Sequence, residues 1–473
     1  MRTIWYMGAK TRITDSILEA VEAAAPRAER VLDLMSGTGV VARTLADRYR
    51  VHANDVQRYA QTVAQAYLEP SRGFTPDLER DLGPAFRENL APLREALEPA
   101  LAREQAFLEA FGFAGPQPDA PLAWSLPAAA VRQAQRKVPR DEDARAHAYR
   151  GFALRETPCF MEQESVRGVG VFAGFSSLLR LEALEARRRD PRAFPYQLAT
   201  TYYPNVYLGL RQALEVDSLR YAIDRLQGPR AAAKRRLYLA ALLHATSVAT
   251  SATSHFCQPR GLVRDSEVRA VLARRALSIP EGLASYAAEI QAEQVAEGGR
   301  HTTSAQDWRA LYAQGVDVDL VYADPPYTAD NYSRFYHVLE VLVDYDYPEL
   351  SKGGHSKGRY PLLSLRHRSP FCVKRSVEQE LRDLVLASAH RGASLVLSYG
   401  EENGLALKTW RDQGLSAREA RARFVDLARV GYRHVELRTR ALMHSGQGDS
   451  NHQITELLLI ARDPRPQEDD PCA

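Results

Sequence analysis

The sequence predicts an α/β fold in which a doubly wound sheet is split by a large, mainly helical insertion. Apolar strands alternate with helical patterns near both ends of the chain, and this alternation is typical of βαβ units in a parallel sheet. The alternation is missing between about residues 70 and 299, a stretch too long for a loop within a compact domain. Two β-rich segments, residues 435–442 and 454–461, are spaced to pair as a C-terminal antiparallel hairpin.

The N-terminal part supplies the first two predicted strands. A helix over residues 11–25 precedes an apolar strand at residues 30–35, and a Gly-containing turn at residues 36–39 leads into the next helix. A second strand follows over residues 51–55, with another helix after it. Helix, strand and turn therefore follow one another as a parallel βαβ unit requires.

The insertion has a different pattern. Residues 78–111 are charged and helical in pattern, whereas residues 117–139 are rich in Pro and Ala and predict a loop. Basic clusters lie at residues 136–140, 187–192 and 234–236. They are candidate anion contacts, although a run of charge is more often a solvated face.

The alternation then resumes toward the C-terminus. A buried-looking strand over residues 318–323 precedes a helix at residues 335–343, and a second helix is predicted at residues 377–390. A strand at residues 395–398 and a helix at residues 417–430 lead into the hairpin. These elements complete the sheet that the insertion interrupts.

The chain is therefore expected to have four parts. The sheet domain comprises residues 1–69 and 300–463, the inserted lobe comprises residues 70–299, and residues 464–473 form an acidic, Pro-containing tail.

Composition limits the classes of function. Of 473 residues, 45% are hydrophobic and 26% charged, and the formal net charge is only +3, so a polyanion must be met by local basic patches. The cysteines, Cys159, Cys257, Cys372 and Cys472, have no paired spacing that would indicate a zinc site or a disulfide framework. No apolar run resembles a signal peptide or a membrane span, so a cytoplasmic protein without metal or membrane partner is expected.

Asp324, Pro325, Pro326 and Tyr327 directly follow the strand at residues 318–323. An aspartate and the Pro325 carbonyl can each accept one N–H of an exocyclic amine, and Tyr327 can stack on the ring that holds it. Proline donates no backbone hydrogen bond, which keeps these carbonyls out of a sheet ladder. An ordinary Pro-Pro turn is the structural alternative.

Gly37 and Gly39 lie in the turn after the first strand, where glycine lets backbone approach a ligand at a helix N-terminus. Asp55 ends the next strand, where an acid commonly binds ribose hydroxyls, although a helix N-cap is the alternative. Ala42 stands where a dinucleotide fingerprint would have its third glycine. An adenosine ligand without a pyrophosphate therefore fits better than NAD.

Two further sites are less specific. Tyr6, Gly8 and Lys10 precede the first helix, where a lysine could pair with a ligand carboxylate, although a solvated lysine is more usual. Asp307 lies just before the strand that leads to Asp324, where it could accept an adenine amino group or cap a helix.

Taken together and in this order, these residues resemble the Dam-like class of S-adenosylmethionine-dependent N6-adenine DNA methyltransferases. The strings that show the resemblance are YMGAK, DLMSGTG, ND at residues 54–55, QD at residues 306–307 and DPPY, with YLGLRQALEVDSLRYAID in the insertion. The similarity covers roughly residues 1–68 and 197–462. Met35 departs from the family, which more often has phenylalanine there, and altered packing is the expected consequence.

The resemblance implies a Rossmann-like methyltransferase sheet and S-adenosylmethionine as cofactor. It implies that Asp324, Pro325, Pro326 and Tyr327 are catalytic. The cofactor residues that it implies are Tyr6, Gly8, Lys10, Asp33, Gly37, Gly39, Asp55, Asp307 and Asp324.

The resemblance also implies a partner and a mechanism. The partner is double-stranded DNA, with a cognate restriction endonuclease as a possible second partner. The target adenine has to leave the duplex to reach the pocket, and Tyr327 would stack on it. The basic clusters of the insertion would contact phosphates, and the tyrosines at residues 202–207 would either contact DNA or pack in a core.

Two alternatives stay open on the sequence alone. An RNA or protein N-methyltransferase would use the same amine chemistry on another substrate. A non-catalytic nucleic-acid-binding subunit is the alternative from a different class, but the glycines and Asp324 that such a subunit would lose are present.

Overall fold

A computed structural model describes residues 10–69, 74–113, 142–156, 181–253, 255–295, 300–351, 358–445 and 451–466. The strands of this part of the chain are β1 (Arg30–Asp33), β2 (Arg50–Asp55), β3 (Thr302–Ala305), β4 (Leu320–Ala323), β5 (Ser394–Gly400), β6 (Tyr432–Ser445) and β7 (Asn451–Pro464). They form one seven-stranded sheet in the order β3-β2-β1-β4-β5-β7-β6.

The first five strands of this sheet run parallel, whereas β7 is antiparallel to both β5 and β6. The predicted C-terminal hairpin is therefore confirmed, and its strands are longer than predicted. Strand β3 at the sheet edge was missed, because its residues, Thr302–Ala305, lack the apolar pattern of a buried strand.

The helices lie between these strands and fill the insertion. Before the insertion are α1 (Thr14–Ala24), α2 (Val40–Leu45) and α3 (Arg58–Leu68). Within it are α4 (Leu78–Asp81), α5 (Gly83–Ala110), α6 (Glu142–Gly151), α7 (Leu181–Arg189), α8 (Leu198–Tyr202), α9 (Leu210–Arg225), α10 (Ala231–Ala249), α11 (Asp265–Arg275) and α12 (Ile279–Glu293). After it are α13 (Trp308–Ala313), α14 (Tyr332–Phe335), α15 (His337–Asp344), α16 (Val377–Ala389), α17 (Leu405–Asp412) and α18 (Ala417–Arg429).

Helices cover both faces of the sheet, as a doubly wound fold requires. Successive side chains of a strand point to opposite faces. Leu320 and Tyr322 of β4 therefore pack in a core with residues of α1, α2 and α3. Val321 and Ala323 pack in a second core on the other face, with residues of α13, α16, α17 and α18. The predicted fold class is confirmed.

The order of the strands places a ligand crevice beside β1. Strand β1 lies between β2 and β4, so the chain proceeds in opposite directions across the sheet from this point. Ligands of open α/β sheets bind at the carboxyl ends of strands at such a switch point. The Gly-containing turn follows β1 and Asp324 follows β4, so the fold brings both predicted motifs to one crevice.

The insertion is helical in the part that the structure describes, and it shares a core with the sheet domain. One hydrophobic cluster joins residues of α5, α9, α10 and α12 to α3 and α15. Tyr202, Tyr203 and Tyr207 are fully buried in it, so core packing is the alternative that holds for them. The division into four parts stays a prediction, and the loop predicted at residues 117–139 lies outside the described residues.

Two of the predicted basic clusters make contacts within the chain. Arg187 is buried and donates to the carbonyl oxygens of Ala193 and Pro195. Lys234 pairs with Asp81 at 2.6 Å. The neighbouring arginines also have intramolecular acceptors: Arg188 contacts Tyr347, Arg235 contacts Leu226 and Arg236 contacts Glu69. The cluster at residues 136–140 lies outside the described residues.

The described helices include none that is long and apolar enough to cross a membrane.

Gly39 has a packing reason to be glycine. Its φ of +74° lies in the left-handed region, and a Cβ there would stand 3.1 Å from Ala64 Cα on α3. Gly392 has a similar φ of +71°, but a Cβ there would meet nothing within 4 Å. The two positions therefore separate backbone strain from side-chain crowding.

We expect Gly39→Ala to destabilise the protein more than Gly392→Ala. Backbone strain of roughly 1–2 kcal/mol applies to both variants, and the contact with Ala64 adds to it only at Gly39. Denaturant unfolding of the two variants beside the wild type measures the difference. Equal unfolding midpoints for the two variants would contradict this expectation. They would show that α3 moves away from the new methyl group at no cost in the free energy of unfolding.

Candidate active site

A cleft at the carboxyl ends of β1, β2 and β4 holds most of the predicted site residues. Its empty volume is about 1070 Å³, with the open space at its mouth included. The predicted residues that line it are Lys10, Asp33, Gly37, Asp55, Asp307, Asp324, Pro325, Pro326 and Tyr327. Other lining residues, which sequence reasoning did not select for the site, include Ser36, Thr38, Asn54, Asn331, Tyr332, His367 and Phe371.

A chain of buried charges joins two residues of the cleft lining, Lys10 and Asp324, to Glu456. Lys10 Nζ is 2.9 Å from Asp324 Oδ1 and 3.2 Å from Glu456 Oε1. The side chains of Lys10 and Glu456 are 4% and 1% exposed, and that of Asp324 is 18% exposed. Since Asp324 Oδ1 is buried beside the ammonium group, Oδ2 is the oxygen left to accept a hydrogen bond from a ligand.

The environment changes the pKa values of this group. Burial raises the pKa of Asp324 to about 6, Lys10 opposes that rise, and Glu456 adds to it. Burial alone would lower the pKa of Lys10, but the charges of Asp324 and Glu456 outweigh it and raise that pKa well above its ordinary value. Lys10 is therefore a cation and the main partner that keeps Asp324 ionised.

Glu456 is a site residue that sequence reasoning missed. It lies on β7, opposite Gly400 of β5, and its carboxylate accepts a hydrogen bond from Ser398 at 2.5 Å. Its only sequence signal is its position as the one charged residue of the apolar run 454–461. A buried carboxylate needs a cation or hydrogen-bond donors, so a lone acid in an apolar strand indicates such a partner.

Backbone amides hold Asp55 at the edge of the cleft. Its carboxylate accepts from the N–H of Gly37 at 3.0 Å and from the N–H of Gln57 at 2.9 Å. Burial raises the pKa of Asp55 to about 6, and the two amides limit the rise. The first of these hydrogen bonds joins the turn after β1 to the end of β2, so both motifs are held in one geometry.

Asn54, which was not predicted as a site residue, stabilises the same edge of the cleft through hydrogen bonds. Its side-chain amide donates to the carbonyl oxygens of Leu34 and Gln306, both at 3.0 Å. Its side-chain oxygen accepts from Ser304. The loops after β1 and β3 are therefore tied to the end of β2.

Asp33 adds a further buried acid to the cleft. It ends β1 and is 1% exposed. Burial raises its pKa well above the ordinary value and the charge of Asp324 adds to the rise, whereas the backbone of Ala42 opposes it. Among the described residues that line the cleft, Asp33, Asp55, Asp307 and Asp324 are acidic, and Lys10 is the one lysine or arginine.

The Pro-Pro segment after β4 is held by the next part of the sheet. The carbonyl of Tyr327 accepts from the N–H of Leu405 at 2.7 Å. The Tyr327 ring packs 5.6 Å from that of Tyr399, and a Cβ on Gly400 would come within 2.9 Å of it. Glycine at position 400 therefore leaves the space that this ring occupies.

Asp307 lines the cleft and also caps a helix. Its carboxylate accepts from the N–H of Arg309 at 2.9 Å, at the start of α13. The helix-capping alternative therefore holds, and the position at the cleft wall leaves the proposed adenine contact available.

Three predicted residues are not placed in the cleft. Tyr6 and Gly8 lie outside the described residues. Gly39 lies in the turn after β1 but does not line the cleft, and its packing against Ala64 accounts for the glycine.

In the described part of the chain, no group of three or more His, Cys, Asp or Glu side chains is arranged to hold a metal ion.

Two curated relatives are named as a methyltransferase and a methylase. The chain is 33% identical over 90 residues to the type II methyltransferase M.FokI of Planomicrobium okeanokoites, which is 19% of this chain and 13% of that protein. It is 51% identical over 35 residues to the modification methylase LlaI of Lactococcus lactis subsp. lactis, which is 7% of this chain and 6% of that protein. The matched segments therefore span only a small part of each relative.

A family match extends much further along the chain. The family described as D12 class N6 adenine-specific DNA methyltransferase matches residues 6–98 and 197–364, more than half of the sequence. The match includes the turn after β1, the end of β2 and the Asp-Pro-Pro-Tyr segment after β4, which meet at the cleft. The resemblance found in the sequence is thereby confirmed: the chain belongs to the D12 class of N6 adenine-specific DNA methyltransferases.

Proposed function

We propose that this chain transfers a methyl group from S-adenosylmethionine to N6 of an adenine in double-stranded DNA. The observation that supports this most strongly is the placement of Asp324 at the end of β4. Its Oδ1 is paired with Lys10, and its Oδ2 is left for a ligand in the same cleft as the turn after β1.

The cleft suits a cationic cofactor that contains adenosine. Asp55 is held by backbone amides at the position where an acid binds ribose hydroxyls. Four aspartates and one lysine among the described lining residues favour a ligand that brings a positive charge, as a sulfonium does. When bound, S-adenosylmethionine supplies an electrophilic methyl group on that sulfonium.

Asp324 and the Pro325 carbonyl would hold the target amine. The N6 lone pair of adenine is delocalised into the ring, and two hydrogen bonds from the amine protons localise it on nitrogen. Positioning of this kind can contribute roughly 7–11 kcal/mol to barrier reduction in well-oriented cases. Asp324 acts here as an acceptor and not as a strong base, and Tyr327 supplies the face against which the adenine stacks.

The depth of the site requires the base to leave the helix. The Asp324 side chain lines the cleft and is only 18% exposed, so an adenine stacked in a duplex does not reach it. Enzymes that act on a base inside a duplex rotate the nucleotide into a pocket. A flipped adenine is the substrate form that fits this cleft.

The decisive test is transfer of tritiated methyl from S-adenosylmethionine to unmethylated genomic DNA, with the product nucleosides separated. Label in N6-methyladenine is expected. Label on RNA or protein, and none on DNA, would show that the same chemistry acts on one of the alternative substrates. No transfer to any of them, with DNA binding retained, would support the non-catalytic subunit.

The biological setting is a further proposal. M.FokI and LlaI are named as a type II methyltransferase and a modification methylase, which supports a cognate restriction endonuclease as partner. An enzyme that modifies genomic DNA works where that DNA is held, so we propose a cytoplasmic location.

We expect Asp324→Ala to abolish most of the methyl transfer and to weaken cofactor binding by a much smaller factor, because Asp324 also lines the cleft. Loss of one oriented hydrogen-bonding group in an active site costs about 10²–10³-fold in kcat, and the aspartate is charged as well. Single-turnover transfer and equilibrium binding of S-adenosylmethionine measure the two effects separately.

The matched control is Asp426→Ala, which removes an exposed aspartate that pairs with Arg429 on α18. We expect its transfer rate to equal that of the wild type. An Asp324→Ala variant that retained most of its rate would contradict the assigned role.

We expect Lys10→Met and Glu456→Gln to shift the acidic limb of the pH–rate profile in opposite directions. The wild type should lose activity as pH falls through about 6, where Asp324 is protonated. Loss of the Lys10 charge raises the pKa of Asp324 and moves the limb to higher pH. Loss of the Glu456 charge lowers that pKa and moves the limb to lower pH.

The measurement is kcat/KM against pH, which reports the free enzyme. Lys10 and Glu456 are not the only groups that face Asp324, since Asp33, Tyr322, Tyr327 and Tyr332 also interact with it electrostatically. Glu215→Gln is the control, because it alters a buried ion pair with Arg211 in the insertion. If the acidic limb moved in the same direction in both site variants, the assigned effects of Lys10 and Glu456 on the pKa of Asp324 would be wrong.

A further inference from the structure

The segment over residues 358–371 forms one rim of the cleft. His367, Ser369, Pro370 and Phe371 line the cleft itself. The residues just before them, 363–365, are exposed in a short 3₁₀ turn. The rim is thus continuous with the wall of the site, and its turn at residues 363–365 faces solvent.

The rim is anchored at several points. Tyr207, in the core of the insertion, donates from its hydroxyl to the carbonyl of Gly358 at 2.9 Å. The N–H of Leu362 donates to the carbonyl of Glu349 at 2.9 Å, and the N–H of Ser351 donates to the carbonyl of Tyr360 at 2.8 Å. The exposed turn therefore projects from a fixed base.

Positive charge gathers on and beside this rim, where no carboxylate of the described residues pairs with it. The guanidinium groups of Arg334 and Arg366 lie 5.7 and 5.6 Å from the centre of the Tyr360 ring. Burial lowers the pKa of Arg366, and the nearby charge of Arg334 adds to that effect. Arg368 lies two residues further along the rim and is exposed.

Unlike these three arginines, several others in the described part of the chain are paired with carboxylates. Arg309 pairs with Glu380 and Asp383, and Arg421 pairs with Glu401. Among the described residues, no carboxylate pairs with Arg334, Arg366 or Arg368, and Arg366 Nε is buried without a hydrogen-bond partner. An external anion is the group that would complete this site.

Two leucines stand beside these charges. Leu363 and Leu365 are each 59% exposed, whereas most large apolar side chains of the described residues are buried. Leu363 is four residues from His367 at the cleft wall, so the two lie at most about 14 Å apart. A partner that binds this rim must present anionic groups on its surface to the arginines. It must also offer an apolar interior that the two leucines can enter. A DNA duplex offers phosphates outside and stacked bases inside.

We propose that Leu363 and Leu365 form a wedge that enters the duplex and fills the space that the flipped adenine leaves, while Arg334, Arg366 and Arg368 contact the flanking phosphates. This inference rests on the proposed function, because it requires adenine in duplex DNA as the substrate. Apolar side chains between base steps unstack them in other DNA-binding proteins. Here the wedge would stabilise the extruded base, and the chemistry would stay with Asp324.

The test first maps the target site by sequencing the methylated DNA. It then compares the double variant Leu363→Ala/Leu365→Ala with the wild type on three substrates that contain this site. These are a matched duplex, a duplex in which the target adenine faces an abasic position, and single-stranded DNA. A base that is already unpaired costs less to extrude. We expect kcat/KM of the variant to fall at least ~10-fold on the matched duplex, since unstacking costs a few kcal/mol, and to approach wild type on the other two.

Val263→Ala is the matched control, because Val263 is 83% exposed in the insertion and away from the rim. It should behave as wild type on all three substrates. A double-leucine variant that equals wild type on the matched duplex would overturn the wedge. A loss of equal size on all three substrates would overturn it too, because the leucines would then act through the fold of the rim.

The proposed phosphate contacts are tested by the salt dependence of the affinity for duplex DNA. We expect Arg366→Gln and Arg368→Gln each to weaken duplex binding and to reduce the slope of log affinity against log salt by about 1. Arg429→Gln, which removes an exposed ion pair with Asp426, should leave that slope unchanged. Unchanged slopes in both rim variants would overturn the phosphate contacts.

These outcomes separate the two proposals. A wild-type protein that methylates none of the three DNA substrates would overturn the proposed function, and the wedge with it. A wild-type protein that methylates the matched duplex, beside a leucine variant that does so equally well, would overturn the wedge alone.

Discussion

The buried ammonium group of Lys10 is the contact on which the rest of the site depends. It joins an N-terminal turn to Asp324 at the end of β4 and to Glu456 on β7. Buried charges are costly unless they are paired, so removal of one partner leaves another uncompensated. The C-terminal hairpin thus contributes to the active site as well as to the edge of the sheet, because its strand supplies the carboxylate that holds Lys10.

The insertion and the sheet domain are joined through packing as well as through the chain. Helices α3 and α15 share one core with the helices of the insertion. Tyr207 belongs to that core and donates to Gly358 at the base of the cleft rim. The rim is therefore held by the insertion on one side and opens onto the cleft on the other.

Much of the fold was predictable, because the strands, turns and hairpin have local patterns. The parallel sheet followed from strands that alternate with helices, and Asp324 and Asp55 were found because each lies at the end of a strand. The switch point at β1 depends on the strand order, which only the structure gives. Glu456 and Asn54 were missed, since their partners lie far away in sequence. The basic clusters at residues 187–192 and 234–236 suggested phosphate contacts, but their side chains find acceptors within the chain.

The sequence by itself determined the family, the type of sheet and the residue types of the amine site, because strand period, turn chemistry and short motifs depend on neighbours in the chain. Only the tertiary structure decided which charges meet. It paired Lys10 with Asp324 and Glu456, and among the described residues it left Arg366 on the rim and Arg334 beside it without a paired carboxylate. Electrostatic contacts depend on distance in space and on burial, and neither can be read from position along the chain.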